Sequence, residues 1–531
     1  MRLRRMKAGR YRTREQVGSG FADAPAHPHS RHVQVLIVGS GFAGLGAAIQ
    51  LELAGRSDFL VIERGSEVGG TWRDNTYPGA ACDVPSQLYS FSFAPNPGWS
   101  RTYSSQSEIQ QYLRDTAACS GTLDRHLFDC ELRSARWDSV AGRWMVDTSR
   151  GTFTADILVT AFGGLSEPKL PAIPGIENFG GDIFHSARWD QHCRLAGRRV
   201  AVIGTGASAI QLVPEIAAVA GRLDVYQRTA PWIMARGDRA FSRAERYAFR
   251  SVPALQRIKR HLIYAARDVN SIAFCYVPWI LQLVSRRATA HRDRQITDPV
   301  LRQQLAPDYV MGCKRVLLSD DYYPALQMGS VDLVTDSITE VCAEGVVTAG
   351  GVLRRTDVLI LATGFRATDS PAADLITGAD GRTLGQTWRE QGQQAYKGTT
   401  IAGFPNLFML VGPNTGVGNT SMIFMIESQL RYLLDALRRM DRHGLATVEV
   451  TAPAQRRFNT TLQRRMARTV WATGCASWYL DALGRNTTLW PGFGFLFRAA
   501  TRRFDLDAYQ VTFRSDAVEV TGRAEVGGEV R

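Results

Sequence analysis

Two segments of this chain are built to one plan, and that duplication constrains the fold more than any other feature. The first runs from the apolar stretch Val33-Gln34-Val35-Leu36-Ile37-Val38 into Gly39-Ser40-Gly41-Phe42-Ala43-Gly44, continues with helical periodicity to about Ala54, and ends in Phe59-Leu60-Val61-Ile62-Glu63. The second runs from Arg199-Val200-Ala201-Val202-Ile203 into Gly204-Thr205-Gly206-Ala207-Ser208-Ala209, then a helix to about Ala220, then Leu223-Asp224-Val225-Tyr226-Gln227-Arg228. Each reads as strand, glycine turn, helix, strand. A lone GxGxxG carries little weight in a chain with 49 glycines. Here both turns sit between an apolar strand and a helix. Both also place a diagnostic side chain 19 positions after the last small residue, Glu63 after Gly44 and Arg228 after Ala209, the distance at which a nucleotide ribose is read.

The residue types follow from what such a turn must do. The first glycine takes the sharp bend, the second lets the backbone approach a pyrophosphate, and the third, or an alanine in its place, lets helix and strand pack closely. Free N–H groups and about half a positive charge at the helix start then face the anion. This reading assigns Gly39, Gly41 and Gly44 to one nucleotide and Gly204, Gly206 and Ser208 to another. Glu63 can accept hydrogen bonds from a ribose 2′-hydroxyl and would repel a 2′-phosphate, whereas Arg228 with Thr229 offers a cation and a hydroxyl where that phosphate would lie. The first site suits FAD or NAD, the second NADPH.

The fold class expected is α/β, with two Rossmann-like dinucleotide-binding domains, for FAD and NADP, and a helical insert. Asp156–Gly163 and Asp357–Phe365 are matching apolar runs ending in small residues, and both read as central strands of the FAD sheet. On that basis the NADP domain is inserted into a discontinuous FAD domain. The expected order is a basic flexible tail over 1–30, the leading segment of the FAD domain over 31–168, and the NADP domain over 169–350 with its helical insert at about 235–300. The closing segment of the FAD domain, with the active-site loop, follows over 351–500, then a C-terminal tail over 501–531. The turn Leu410-Val411-Gly412-Pro413-Asn414-Thr415-Gly416 leads toward an amphipathic segment from about Met422 to Met440 and is expected to aim a helix start at the flavin.

Composition removes several alternatives. The net charge is +13, but Met1 to Arg14 alone supply seven basic residues and no acidic one. Only five of the 63 basic residues are lysine, a general preference for arginine rather than a polybasic face. With no aromatic-basic recognition motif, nucleic-acid binding is not expected. The eight cysteines contain no CxxC pair, so neither a zinc site nor a redox dithiol is indicated and no metal is expected. Scattered single thiols fit a reducing compartment, and a cytoplasmic protein, monomer or homodimer, is expected. The longest apolar stretch, Ser271 to Val284, is too short to span a bilayer, so no stable membrane insertion is expected. A face of the 235–300 insert touching membrane is a lesser possibility beside a plain core helix or a cap on the active site.

The segment Phe179-Gly180-Gly181-Asp182-Ile183-Phe184-His185-Ser186-Ala187-Arg188-Trp189-Asp190 narrows the chemistry. It matches FxGxxxHxxxWD at Phe179, Gly181, His185, Trp189 and Asp190, and in this the chain resembles the type I Baeyer–Villiger monooxygenases, which belong to the flavin-containing monooxygenases. Gly69-Gly70-Thr71-Trp72 followed by Tyr77-Pro78-Gly79 and Asp83 is similar to the family's GGxW and YPGxxxD elements. Asp357–Phe365 resembles its DxxxxATGF strand, Lys314-Arg315 before Tyr322-Tyr323 its Lys-Arg pair, and Ser477-Trp478-Tyr479 its mobile-loop element. One departure is Asn419-Thr420, where relatives often carry His-Asn.

What the resemblance implies is an NADPH-dependent FAD monooxygenase. NADPH reduces FAD, the reduced flavin and O2 give a C4a-peroxyflavin, and this attacks a ketone or aldehyde to yield an ester or lactone. Arg315 is implied as the permanent cation beside the reacting oxygen and Asp83 as the carboxylate that orients it. Trp72 would lie against FAD, Lys314 at the NADPH phosphate and Trp478 over the nicotinamide. His185 is implied to position the linker rather than to act as a base, and Trp189 to be a packing anchor. The alternative is a heteroatom (S or N) oxygenating flavin monooxygenase, against which Arg315 and the Trp189-Asp190 ending discriminate. A further alternative is a surface-binding protein on a nucleotide-binding scaffold.

Overall fold

The apolar run that opens the first repeat forms strand β1 (Arg31–Val38), buried from Val35 onward on both faces, as a central parallel strand must be. The glycine turn releases the chain into α1 (Phe42–Leu53), nine of whose 12 residues are buried, and the chain returns as β2 (Phe59–Ile62). The computed structural model describes residues 31–514; the expected basic tail lies outside the described residues. β1 pairs in parallel with β2 on one side and with β3 (Gly151–Thr160) on the other, with Val38 level with Ile62 and Thr160. Their carboxyl ends thus open at one crevice, directly below the Gly39 turn, where nucleotide sites of such sheets lie. Strands 132–138 and 143–148 extend the sheet as an antiparallel meander, and strand 407–409 pairs with β3.

The second repeat builds a separate five-stranded sheet from β4 (Asp182–His185), β5 (Arg199–Ile203), β6 (Arg222–Tyr226), β7 (Val331–Val334) and β8 (Val358–Leu361). Its spatial order is β7-β6-β5-β8-β4, and every pairing is parallel. Helix α2 (Ala209–Ala217) packs on it below the Gly204 turn. β8 corrects an expectation. Asp357–Phe365 reads like β3 and is expected beside it in the first sheet, yet it lies between β5 and β4 in the second. The pattern does not discriminate because a parallel strand buried on both faces is an apolar run in either sheet; its partners decide.

Between β6 and β7 comes the helical insert, α3 (Arg243–Ser251), α4 (Pro253–Val269) and α5 (Ile280–Gln295), with a π-helical turn at 272–276 joining the last two. Ser242 and Glu245 form a reciprocal capping box that starts α3. After β8 the chain returns to the first core, where α6 (Met422–Arg442) packs against α1. Within the expected tail over 501–531, residues 501–514 are folded, a second correction. Phe504 and Tyr509 are buried, and strand 509–513 pairs antiparallel with strand 445–450. Tyr432, Lys397 and Tyr396 bind Asp505 there, a polar cluster that no local periodicity announces.

Candidate active site

The first turn is dictated by close packing. A Cβ on Gly44 would stand 1.8 Å from the Gly39 carbonyl oxygen, and one on Gly39, which has φ +103°, 2.7 Å from that of Ala161. Gly41 is different: a Cβ there would meet Gly70 Cα at an ordinary 3.6 Å, so protein packing does not demand glycine and space for a ligand does. The start of α1 has no side-chain cap, leaving its N–H groups to an anion. Glu63, at the end of β2, is buried and already bound. Its Oε2 accepts from the Ser40 N–H at 2.7 Å, and its Oε1 accepts from the Gly65 N–H at 2.8 Å and from Arg73 Nη1 at 2.7 Å. Sequence reasoning misses Arg73, because one arginine among 58 has no local signal. Trp72 is half-buried and donates from Nε1 to the Tyr89 hydroxyl at 3.1 Å.

The second turn repeats the geometry with an open side. Gly204 has φ +116°, and a Cβ there would stand 2.5 Å from the Ala362 carbonyl oxygen, but a Cβ on Gly206 would meet no atom within 4 Å. Ser208 precedes α2 without capping it. The Thr205 hydroxyl donates to the Thr229 carbonyl at 3.1 Å, fastening the reader segment to the turn. Arg228 is exposed, and among the described residues neither it nor Lys314 has a carboxylate within 4.0 Å. Burial first, and then the charge of Arg228, hold the Lys314 ammonium below its ordinary pKa. Asp308 offsets this only in part and from beyond ion-pair distance, so the two cations retain charge for an anion.

Arg315 meets the segment 69–83, which is bonded to Ser40 of the first turn through Gly69 and to Gln211 on α2 through Ala81. Its Nε and Nη2 donate to Asp83 Oδ2 at 2.8 and 2.6 Å, and about a quarter of each side chain remains exposed, 27% and 29%. Asp83 pushes the guanidinium pKa up, making it a permanent cation. Tyr479 is fully buried beside it, and burial pushes the phenol up to about 12 although Arg315 opposes this. Asp83 is held from the other lobe. Gln211 on α2 donates to the Ala81 carbonyl at 3.0 Å and accepts from the Tyr77 hydroxyl at 2.9 Å. A Cβ on Gly79 would stand 2.4 Å from the Gln211 carbonyl oxygen. The Tyr-Pro-Gly element is thus a clasp between the lobes. Sequence pattern signals Gly79 but not Gln211, whose partners are 130 and 134 residues away.

The FxGxxxHxxxWD residues build the joint rather than the reaction centre. A Cβ on Gly181 would stand 2.3 Å from the Asp357 carbonyl oxygen, so Gly181 lets β4 lie against β8. Phe179 packs on the outer face of that sheet, Trp189 meets Phe184 edge to face at 5.0 Å, and Asp190 accepts from the His192 N–H at 2.8 Å to close a turn. His185 ends β4 level with Leu361 and meets Phe365 edge to face. Its Nδ1 accepts from the Ala187 N–H at 3.1 Å, and burial lowers its pKa to about 4. It is a neutral ring in the wall where the linker crosses, since Lys169 donates from its backbone to the Gly364 carbonyl at 2.9 Å.

The Gly412–Gly416 turn runs on to a helix that starts at Met422, the position expected. Asn414, at φ +55°, is bound through Nδ2 to the carbonyls of Asn486 and Leu489, and α6 begins at Met422 under its own Ser421 cap. One expectation is corrected: the cysteines are not all single thiols, since Cys313 and Cys475 form a disulfide. Trp478 stands half-exposed next to Tyr479 in the same loop, ring centroids 4.5 Å apart.

Residues 36–244 match the sequence profile of the pyridine nucleotide-disulphide oxidoreductases, a span that ends before both joined cysteines. The chain is 52% identical over 482 residues to a Baeyer–Villiger monooxygenase of Streptomyces coelicolor, covering 90% of this chain and 93% of that one. It is 48% identical over 491 residues to a Baeyer–Villiger monooxygenase of Pseudomonas aeruginosa, covering 92% and 93%. Among solved structures it is similar to OTEMO in complex with FAD and NADP, with a TM-score of 0.82 and 26% identity, covering 91% of this chain and all of that one.

Proposed function

The chain belongs to the Baeyer–Villiger monooxygenases, and on that premise we propose that it uses NADPH and O2 to insert one oxygen atom beside the carbonyl of a ketone or aldehyde. The products are an ester or lactone, NADP+ and water. Bound FAD supplies the redox chemistry that activates O2, with NADPH as the source of two electrons. The residues present fit both nucleotides: space at Gly41 and Gly206 that no protein atom requires, uncapped helix starts above both sheets, and, at only the second, a pair of cations with no carboxylate in contact. Gly39, Gly41 and Gly44 hold the FAD pyrophosphate, and Glu63 binds its ribose. Gly204, Gly206 and Ser208 hold the NADPH pyrophosphate, and Arg228, Thr229 and Lys314 its 2′-phosphate. Trp72 would lie against the flavin and Trp478 over the nicotinamide.

The observation that carries the proposal is the Arg315–Asp83 pair, on a segment bonded to the first turn and to α2 and one residue from Lys314. A ketone oxygen gains negative charge as its carbonyl carbon is attacked, and the guanidinium donates hydrogen bonds to that oxygen. Asp83 fixes the guanidinium's direction, so no reorganisation is needed as charge develops, and a preorganised donor of this kind contributes about 3 kcal/mol. A heteroatom oxygenation develops no carbonyl oxyanion and has no such use for Arg315. The test is product analysis by mass spectrometry with labelled O2 across ketones and sulfides. Arg315→Ala should still oxidise NADPH but lose ester formation by about 100-fold or more; an undiminished ester yield in that variant would refute the role.

A further inference from the structure

Cys313 and Cys475 are joined across 162 residues, their Cα atoms 6.3 Å apart. Cys313 directly precedes Lys314 and Arg315, and Cys475 lies three residues before Trp478 and four before Tyr479. The bond therefore fastens the segment bearing both cations to the loop whose Tyr479 lies beside Arg315. Little else does. Residues 472–478 are largely exposed, and among the described residues no hydrogen bond joins 474–478 to anything outside the loop. Tyr479, buried beside Arg315, is the neighbouring anchor. The other six cysteines are free.

We propose that Cys313 and Cys475 are positioning residues: joined, they hold the Trp478–Tyr479 loop down on Lys314 and Arg315, and reduced, they release it. This rests on reading Lys314 and Arg315 as active-site cations. Closure is an exchange with a low-molecular-weight disulfide such as oxidised glutathione. One cysteine thiolate attacks it and expels a glutathione thiolate, the second cysteine displaces the other, and the two thiol protons end on two glutathione thiols. A dithiol reverses both steps and is itself oxidised.

The test uses the FAD-loaded full chain after oxidised glutathione and again after dithiothreitol. Peptide mapping without reductant should recover 313 and 475 in one linked peptide only in the first state. Reduction should raise the KM for NADPH several-fold with a smaller change in kcat, and lower the fraction of NADPH that yields ester, reversibly. Cys475→Ser should show the reduced-state values and no response to dithiothreitol. A map that finds both thiols free after oxidant, or identical KM and coupling in the two states, overturns the proposal. Linkage is read from the peptide map and KM from NADPH oxidation, neither of which needs ester, so a redox-dependent KM without any ester would refute the monooxygenase reading and leave the disulfide's role standing.

A different observation carries a second inference, on the outer face of the insert. In α4 the exposed side chains Leu255, Ile258, Leu262 and Val269 are three, four and seven residues apart, so they line one face, and exposed Tyr276 and Trp279 extend the apolar surface past its end. From Arg243 to Gln295 there are eleven Arg and Lys against three Asp and Glu. Glu245 is paired with Arg239, Asp293 with Arg292, and Asp268 is buried. A second copy of this face would bring like charges together, whereas an anionic lipid surface answers both the cations and the apolar stripe. We infer that α3–α5 dock reversibly on an anionic membrane. No helix among the described residues is long and apolar enough to cross one. The protein should sediment with phosphatidylglycerol-containing vesicles but not with phosphatidylcholine alone, and release in high salt. Leu255→Glu and Leu262→Glu together should abolish this with NADPH turnover unchanged. No sedimentation with either vesicle, or a concentration-dependent dimer lost in that variant, overturns the inference.

Discussion

The two nucleotide turns share a plan and differ in what surrounds their readers. At the first, Glu63 is buried and its oxygens already accept from Ser40, Gly65 and Arg73, while Gly44 presses against Gly39 with no room for a methyl group. At the second, Ala209 stands where Gly44 would, Gly206 looks into empty space, and Arg228 and Lys314 are close enough to oppose each other's charge. The first is a rigid seat completed by the protein itself, suited to a cofactor that stays. The second is electrostatically incomplete until an anion arrives, suited to a nucleotide that comes and goes.

Gly44→Ala should break the first turn outright. A Cβ at 1.8 Å from the Gly39 oxygen forces helix and strand apart, an expected loss of about 3 kcal/mol or more in urea unfolding together with loss of bound flavin absorbance. The joint between the lobes comes next. His185 titrates near 4 in the folded protein against about 6.5 unfolded. The neutral ring's contribution is therefore complete above about pH 6.5 and lost as pH falls toward 4, about 3 kcal/mol across that window. Thermal unfolding from pH 7 to 4 should show it, and His185→Gln should flatten the slope; a variant with the wild-type slope would place the acid sensitivity elsewhere.

The second turn should yield in binding rather than in stability. Arg228→Ala is expected to raise the KM for NADPH by a factor corresponding to about 2 kcal/mol and to leave NADH nearly unaffected. Equal effects on both would remove Arg228 from the phosphate. Gly206→Ala is the smallest and sharpest contrast with Gly44→Ala. Its methyl group meets no protein atom, so the melting temperature should hold while the KM for NADPH rises by about 1 kcal/mol equivalent.

The features legible in advance share a property: their signal is carried by neighbours in the chain. Strand, turn, helix and reader in each repeat lie within a span of about 30 residues, as a βαβ unit requires. The assignment of Glu63 and Arg228 follows from charge at a fixed distance from a glycine. Trp72, Asp83, Lys314 and Arg315 are legible only through resemblance to a family. Arg73, Gln211 and Asp505 are not legible at all, since their partners come from other elements and their local sequence is unexceptional.

By itself, the sequence determined that there are two strand-turn-helix-strand repeats, one followed by an acidic reader and one by a basic one, because periodicity, glycine φ angles and the sign of a side chain are local quantities. Only the tertiary structure decided which sheet receives Val358–Leu361, that residues 501–514 close the first core, and that Cys313, next to Lys314 and Arg315, meets Cys475. Each of those is a pairing between distant segments that many partners could satisfy equally well by composition. The choice among them is made by packing and hydrogen-bond geometry once the chain has closed on itself.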